Sequence, residues 1–354
     1  MINQLFVSII IPCRNEENFV DMCLDSIIAN DYPKDKFEVL VIDGDSDDRT
    51  RKIINGYAQE YEFIKVLDNP KKITSAGLNI GIKHAKGNFI IWMSAHSHYE
   101  KDYISRSIEF LQKYNADNVG GIIKTLPRGN TFLGQTIVNS LTHRFGIGNS
   151  YFRLQNDKPR WVDTVFGGCY RRDVFDRIGL FNENLGRGQD MQFNLRLKKA
   201  GGRTLLVPDI VSYYYARSDI KSFWKHNWTN GVWAIQPFLY SDIVPVSWRH
   251  LVPLFFVTSL LGSVLLGLLE RSFLWVFLGI GAAYSLTNLA ASFQVSYRKR
   301  DLRYLVAMPF IFATLHFGYG LGSLWGFVIL LRKPSFWLKL LKTVLTRNEL
   351  QREI

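Results

Sequence analysis

Four short apolar runs, each stopping at a polar cluster, constrain this chain more than any other feature. They are Val7 to Ile11, Phe37 to Ile42, Ile64 to Leu67 and Phe89 to Met93. Stretches of helical period separate them: Val20, Leu24, Ile27 and Ile28 after the first, about Arg49 to Glu60 after the second, and a helix from a Thr74 or Ser75 cap to near Gly87 after the third. This β-α-β-α-β-α-β alternation predicts a mostly parallel, doubly wound sheet. Unbroken apolar runs fit strands buried on both faces, and polar residues just beyond their carboxyl ends lie where open α/β sheets bind ligands.

The polar clusters carry the candidate chemistry, each beside a plainer reading. Ser94-Ala95-His96-Ser97-His98 is either a polar turn or a site whose two histidines hold a divalent cation. Asp43-Gly44-Asp45-Ser46-Asp47-Asp48 consists of turn formers, yet Asp43 stands where a carboxylate accepts hydrogen bonds from a base or ribose. Glu16 is either a helix-dipole residue or a pocket residue. Further on, Asp102 to Tyr114 reads as an amphipathic helix, Val119 to Ile123 as a strand and Leu133 to Phe145 as helical. Arg144, Arg153, Lys158 and Arg160 read better as a solvated basic surface than as phosphate contacts. Gly167-Gly168 lets the backbone approach a ligand or simply turns the chain. Asp190, after Gly186-Arg187-Gly188-Gln189, is by itself an ordinary helix-start carboxylate.

The formal charge of +12 fits nucleic acid, an anionic membrane surface or an anionic substrate, but no zinc-finger spacing or basic repeat supports nucleic acid. Cys13, Cys23 and Cys169 have no metal-binding spacing and fit reduced thiols of a cytoplasmic compartment. The N-terminal run is sheet-like, so no cleavable signal is expected. Charged residues thin out after Leu251: residues 251–269 and 273–292 are long enough to cross a bilayer as a hairpin joined by Glu270-Arg271-Ser272. Arg298, Lys299, Arg300 and Arg303 then place both hairpin ends, and the domain before them, inside the cell. A third apolar segment, 305–331, carries Pro309 and several glycines and either spans once or bends as a re-entrant hairpin ahead of the basic tail 332–354. Trp224, Lys225, Trp228 and Trp233, within 218–250, suit a bilayer interface, with a packed amphipathic helix as the other reading. The expected organisation is therefore an α/β domain over 1–217, an interfacial region over 218–250 and a helical membrane segment over 251–354.

Ile9-Ile10-Ile11-Pro12-Cys13-Arg14-Asn15-Glu16, Val41 to Thr50, Gly77-Leu78-Asn79-Ile80-Gly81 and Ala85-Lys86-Gly87 together resemble the family 2 inverting glycosyltransferases of GT-A fold. The resemblance implies that Pro12, Asn15, Glu16, Asp43 and Asp45 line a nucleotide pocket, usually for uridine, with Asn79 near the same donor site. It implies that Gly167 and Gly168 border the donor sugar and that Asp190 is the catalytic base, which takes a proton from the acceptor hydroxyl. Family members usually hold Mg²⁺ or Mn²⁺ with an Asp-x-Asp after the fourth strand. Here that position reads Ser94-Ala95-His96, which leaves His96 as the candidate metal or diphosphate contact and Lys72 or Arg187 as candidate replacements for the missing charge. Ala95, His96 and Tyr99, with Asp117 to Gly121 and Gly188-Gln189-Asp190, are similar to the succinoglycan ExoA-like branch of bacterial exopolysaccharide enzymes. His226-Asn227-Trp228-Thr229-Asn230 departs from the Gln-x-x-Arg-Trp of processive synthases, so addition of a single sugar is expected. The expected activity is transfer from a UDP-linked sugar to a polyprenyl-diphosphate-linked glycan at a bacterial inner membrane. A non-catalytic scaffold that binds nucleotide or glycan is the alternative.

Overall fold

The structure, a computed structural model, describes residues 5–154, 157–241 and 243–339. In chain order it begins with β1 (Val7–Cys13), α1 (Val20–Ile28), β2 (Phe37–Asp43), α2 (Thr50–Glu60), β3 (Ile64–Asp68), α3 (Thr74–His84) and β4 (Phe89–Trp92). Next come β5 (Ser97–Tyr99), α4 (Tyr103–Lys113), β6 (Asn118–Pro127), α5 (Phe132–Leu141) and α6 (Arg144–Ile147). The α/β part closes with β7 (Arg160–Val162), β8 (Gly168–Arg171), α7 (Asp173–Ile178), α8 (Gln189–Lys199) and β9 (Thr204–Ala216). Helices follow alone: α9 (Ile220–Ile235), α10 (Pro237–Tyr240), α11 (Val252–Gly267), α12 (Phe273–Lys299) and α13 (Arg303–Leu331).

Two compact units contain these elements, residues 1–130 with 149–216 and residues 131–148 with 217–354. In the first unit the strands form one sheet in the order β3-β2-β1-β4-β8-β6-β9-β5, with β7 also paired to β9. The four runs predicted from sequence are its parallel half: β1 pairs in parallel with β2 and β4, and β2 with β3. All of β2 is buried, as strands covered on both faces must be. β8 then enters antiparallel beside β4 and brings Gly168 opposite Trp92. The result is a mixed α/β GT-A-like sheet.

One buried cluster holds the far edge of this half together. Glu38 on β2 accepts hydrogen bonds from the Ser8 hydroxyl (2.8 Å) and the Lys86 N–H (2.8 Å) and pairs with Lys65 (3.1 Å). The backbone at Gly87 runs so close to Ser8 that a Cβ there would collide with its N–H. The Ala85-Lys86-Gly87 motif is therefore a packing feature here. Neither Thr74 nor Ser75 caps α3: Thr74 is its first residue, and Ser75 Oγ is 3.3 Å from the Leu185 carbonyl.

In the second unit, α11, α12 and α13 are long and apolar enough to cross a membrane. α13 is a single helix through Pro309, so the chain does not bend at its glycines as the re-entrant alternative required. Those glycines serve close packing instead. Gly318, Gly322 and Gly326 face Trp224, Trp228 and Val232 of α9, and Gly320 faces Pro253 and Val257 of α11. One side of the Trp-rich α9 is thus packed on α13. Most of the basic tail lies outside the described residues.

Candidate functional site

The candidate residues gather beyond the carboxyl ends of β1, β2 and β4. After β1, Asn15 adopts a left-handed conformation (φ 55°), as does Asp45 after β2 (φ 56°), and the two loops clasp each other. The Asn15 N–H donates to Ser46 Oγ (3.0 Å), the Asp47 N–H to Asn15 Oδ1 (3.0 Å) and the Glu16 N–H to Thr50 Oγ1 (2.7 Å). Asp43 is buried at the end of β2, where it accepts from Ser46 Oγ (2.6 Å) and pairs with Arg51 (3.3 Å), which also bonds Asp68. Ser46, Thr50 and Arg51 were not singled out from sequence. Their signal was present in the Ser-x-x-x-Thr-Arg spacing after Asp43, but only the folded loops reveal their partners.

After β4, His96 returns to the β1 loop. Its Nδ1 is 3.0 Å from Glu16 Oε1, and because a carboxylate only accepts, Nδ1 carries the proton. Nε2 lies 3.2 Å from Ser94 Oγ. Glu16, 80 residues before His96 in sequence, thus joins Ser94 and His96 in one polar cluster. The Ser94 N–H donates to Tyr99 Oη (2.6 Å), which holds the turn. Ala95 points into the core and offers no side chain to this cluster.

His98 belongs to a different surface. Its ring stacks on Tyr213 at 4.3 Å and 3°. Burial lowers its pKa from the ordinary histidine value, against the opposing effect of Glu100. Two further expectations change. Asn79 is buried with both ends used, donating to the Phe181 carbonyl (2.9 Å) and Glu183 (2.8 Å) while accepting from the Phe181 N–H (2.9 Å), so it staples α3 to the 179–185 loop. Lys72, the candidate replacement for the missing charge, has its ammonium paired with Asp45 at 2.5 Å, which lowers that carboxyl's pKa. Pro12 packs against Gly77 beside the same loops.

Gly167 and Gly168 occupy backbone that side chains resist, with φ of 64° and 123°. A Cβ at Gly167 would lie 2.5 Å from the Trp92 carbonyl and one at Gly168 2.5 Å from Asn118 Oδ1. The pair therefore presses against the end of β4 from which residues 94–96 depart. Beneath it lies a buried polar network: Asn118 Nδ2 donates to Asn194 Oδ1 (2.9 Å), Asn194 Nδ2 donates to Thr164 Oγ1 (3.0 Å), and Tyr170 Oη is 3.3 Å from both the Gly167 carbonyl and Asn194 Oδ1. Asn194 stands one turn after Asp190 on α8. Burial first, and the Asp190 charge second, raise the Tyr170 phenol pKa. This interaction relates Asp190 to the Gly167 segment.

The residues present do not by themselves complete a site for the expected cation. At 94–96 the donor set is a hydroxyl and an imidazole already facing Glu16, and among the described residues no three His, Cys, Asp or Glu side chains converge as metal ligands. A divalent ion at His96 would have Glu16 as its neighbouring carboxylate and would take its remaining ligands from the donor's phosphates.

Residues 8–179 match the family described as glycosyl transferase family 2. A Methanococcus voltae protein, dolichyl N-acetyl-alpha-D-glucosaminyl phosphate 3-beta-D-2,3-diacetamido-2,3-dideoxy-beta-D-glucuronosyltransferase, is 30% identical over 319 residues, 88% of this chain and 94% of its own. The succinoglycan biosynthesis protein ExoA of Rhizobium meliloti is 27% identical over 268 residues, 69% of this chain and 80% of its own. A mannosyltransferase from Pyrobaculum calidifontis, solved with GDP-Man and Mn²⁺, superposes with a TM-score of 0.55 at 18% identity, over 91% of this chain and 87% of that one. At that identity the likeness is one of fold.

Proposed function

We infer that this chain, which belongs to the family 2 glycosyltransferases, transfers one sugar with inversion from a uridine diphosphate donor to a polyprenyl-linked glycan at a membrane. The observation that carries the donor reading is the convergence of Asp43, the Glu16–His96 pair and Gly167–Gly168 beyond the strand ends. In this reading Asp43 and the clasped Asn15–Asp45 loops hold the nucleoside, and His96 and Ser94 face the diphosphate. Pro12 and the Gly167–Gly168 backbone shape the walls. Asp190 removes the proton from the acceptor hydroxyl, whose oxygen attacks the anomeric carbon as the bond to phosphate breaks. The electron pair of that bond leaves with the nucleoside diphosphate.

The lipid-linked acceptor is supported by the Methanococcus voltae relative, named for a dolichyl-phosphate-linked sugar, and by three helices long enough to span a bilayer. That relative matches more of the chain than the succinoglycan protein does, so the polyprenyl acceptor is read more broadly than as an exopolysaccharide or capsule precursor. We place the hairpin ends, and with them the α/β domain, on the cytoplasmic side of a multi-pass protein. The non-catalytic scaffold is not favoured, because Asp43, Asp190 and both glycines are retained. Asp190→Asn tests the base: turnover falls by roughly 10²-fold or more while UDP binding is kept, and near-normal turnover would remove the assignment.

A further inference from the structure

We propose that Arg153 is an oxyanion-binding residue of the donor site, taking either the diphosphate or a carboxylate carried by the donor sugar; the proposal rests on the donor reading above. Arg153 ends a short 3₁₀ turn, Tyr151–Arg153, in the α/β unit. Its Nη1 donates to Thr125 Oγ1 (3.0 Å), and its Cζ lies 4.9 Å from the centre of the Tyr214 ring. Thr125 on β6, Tyr214 on β9 and Ser97 on β5 stand opposite one another in the sheet, so their side chains share a face. The Tyr214 ring in turn meets the His96 ring edge-on at 5.7 Å. A continuous row, Thr125–Arg153–Tyr214–His96–Glu16, therefore leads from this guanidinium to the candidate site.

Arg153 is held in place without being neutralised. Arg51 and Arg177 of the same unit pair with carboxylates, and Arg196, which is also drawn out of water, donates to the carbonyls of Ile178 and Leu180. Among the described residues Arg153 meets one hydroxyl and two aromatic rings, and no carboxylate lies within ion-pair distance. A guanidinium has five N–H donors, and desolvating its charge is costly unless an anion arrives. Burial lowers its pKa from the ordinary arginine value. Lys158 and Arg160 are exposed, as a solvated surface would be, but Arg153 is half-buried. The forked donor geometry matches a phosphate or carboxylate in two-point contact.

Equilibrium binding of UDP, UDP-glucose and UDP-glucuronate to the purified full-length chain in detergent tests this. Arg153→Gln weakens binding of the oxyanion carrier by roughly ten- to a hundredfold, the range for a lost hydrogen bond to a charged group. An equal loss for all three assigns the diphosphate; a loss confined to UDP-glucuronate assigns the sugar carboxylate. If Arg153→Gln melts well below wild type, the comparison is read from Arg153→Lys, which keeps the charge and loses the fork. Unchanged binding of all three ligands by a variant with wild-type melting overturns the proposal. A wild type that binds none of the three overturns the uridine donor reading and this proposal with it.

Discussion

Two histidines two residues apart end up on different surfaces. His96 faces Glu16 and Ser94 at the loop ends, whereas His98 lies flat on Tyr213. Replacing His96 with Ala should lower kcat/KM for the nucleotide sugar by roughly 10²-fold, the scale of losing one preorganised polar group where charge develops. His98→Ala removes a ring stack and should act mainly on stability, so equal kinetic losses would show that the wrong histidine was given the diphosphate. The sequence identified His96, Asp43 and Glu16 as candidates because strand ends are visible as breaks in apolar runs. It could not reveal that Asn79 is consumed in packing, since an amide's partners, here the Phe181 backbone and Glu183, lie far along the chain. Arg153 was misjudged for a similar reason: a basic residue in a loop looks solvated until the ring it rests on is known.

The parallel half of the sheet was legible because each strand there is a local apolar run. Of the other half, β6 was legible as the run Val119 to Ile123, but β5, β7 and β8 were not, since they are only three or four residues long and owe their pairing to β4, β6 and β9. At this scale Gly167 is the sensitive point, because its φ of 64° and its approach to the Trp92 carbonyl both exclude a side chain. Gly167→Ala should destabilise the unit by about 1–3 kcal/mol and depress turnover, measured by thermal unfolding and steady-state rates. Glu38 gives a pH-dependent counterpart in the core. Burial raises its pKa, but the Lys86 N–H, the Ser8 hydroxyl and Lys65 together bring it below the ordinary carboxylate value. A depressed folded pKa means that this stability is present above the ordinary Glu range and is lost as pH falls through the folded value. Glu38→Gln should cost about 1–3 kcal/mol at neutral pH and flatten the acid limb of the unfolding profile; an unchanged acid limb would mean that Glu38 is not its source.

Across the whole molecule, the three long apolar segments were foreseen from hydropathy, while the continuity of α13 as one helix was not, because glycines that let helices approach look the same in sequence as glycines that break them. Topology can be read by labelling intact cells with an impermeant maleimide. Ser272→Cys, between α11 and α12, should label from outside, and Arg300→Cys, between α12 and α13, only after permeabilisation; the reverse would invert the proposed orientation. The native thiols give little background, since all three are buried and burial pushes Cys13 up to about 12 and Cys23 and Cys169 higher still. We propose a membrane glycosyltransferase that uses a nucleotide sugar and a lipid-linked acceptor. The most direct test is release of nucleoside diphosphate from a panel of nucleotide sugars by the purified full-length chain, with and without a polyprenyl-glycan lipid extract. Release is expected with at least one uridine-linked donor, stimulated by the lipid extract and absent in Asp190→Asn. No release from any donor in the presence of lipid, or equal release by Asp190→Asn, would contradict it.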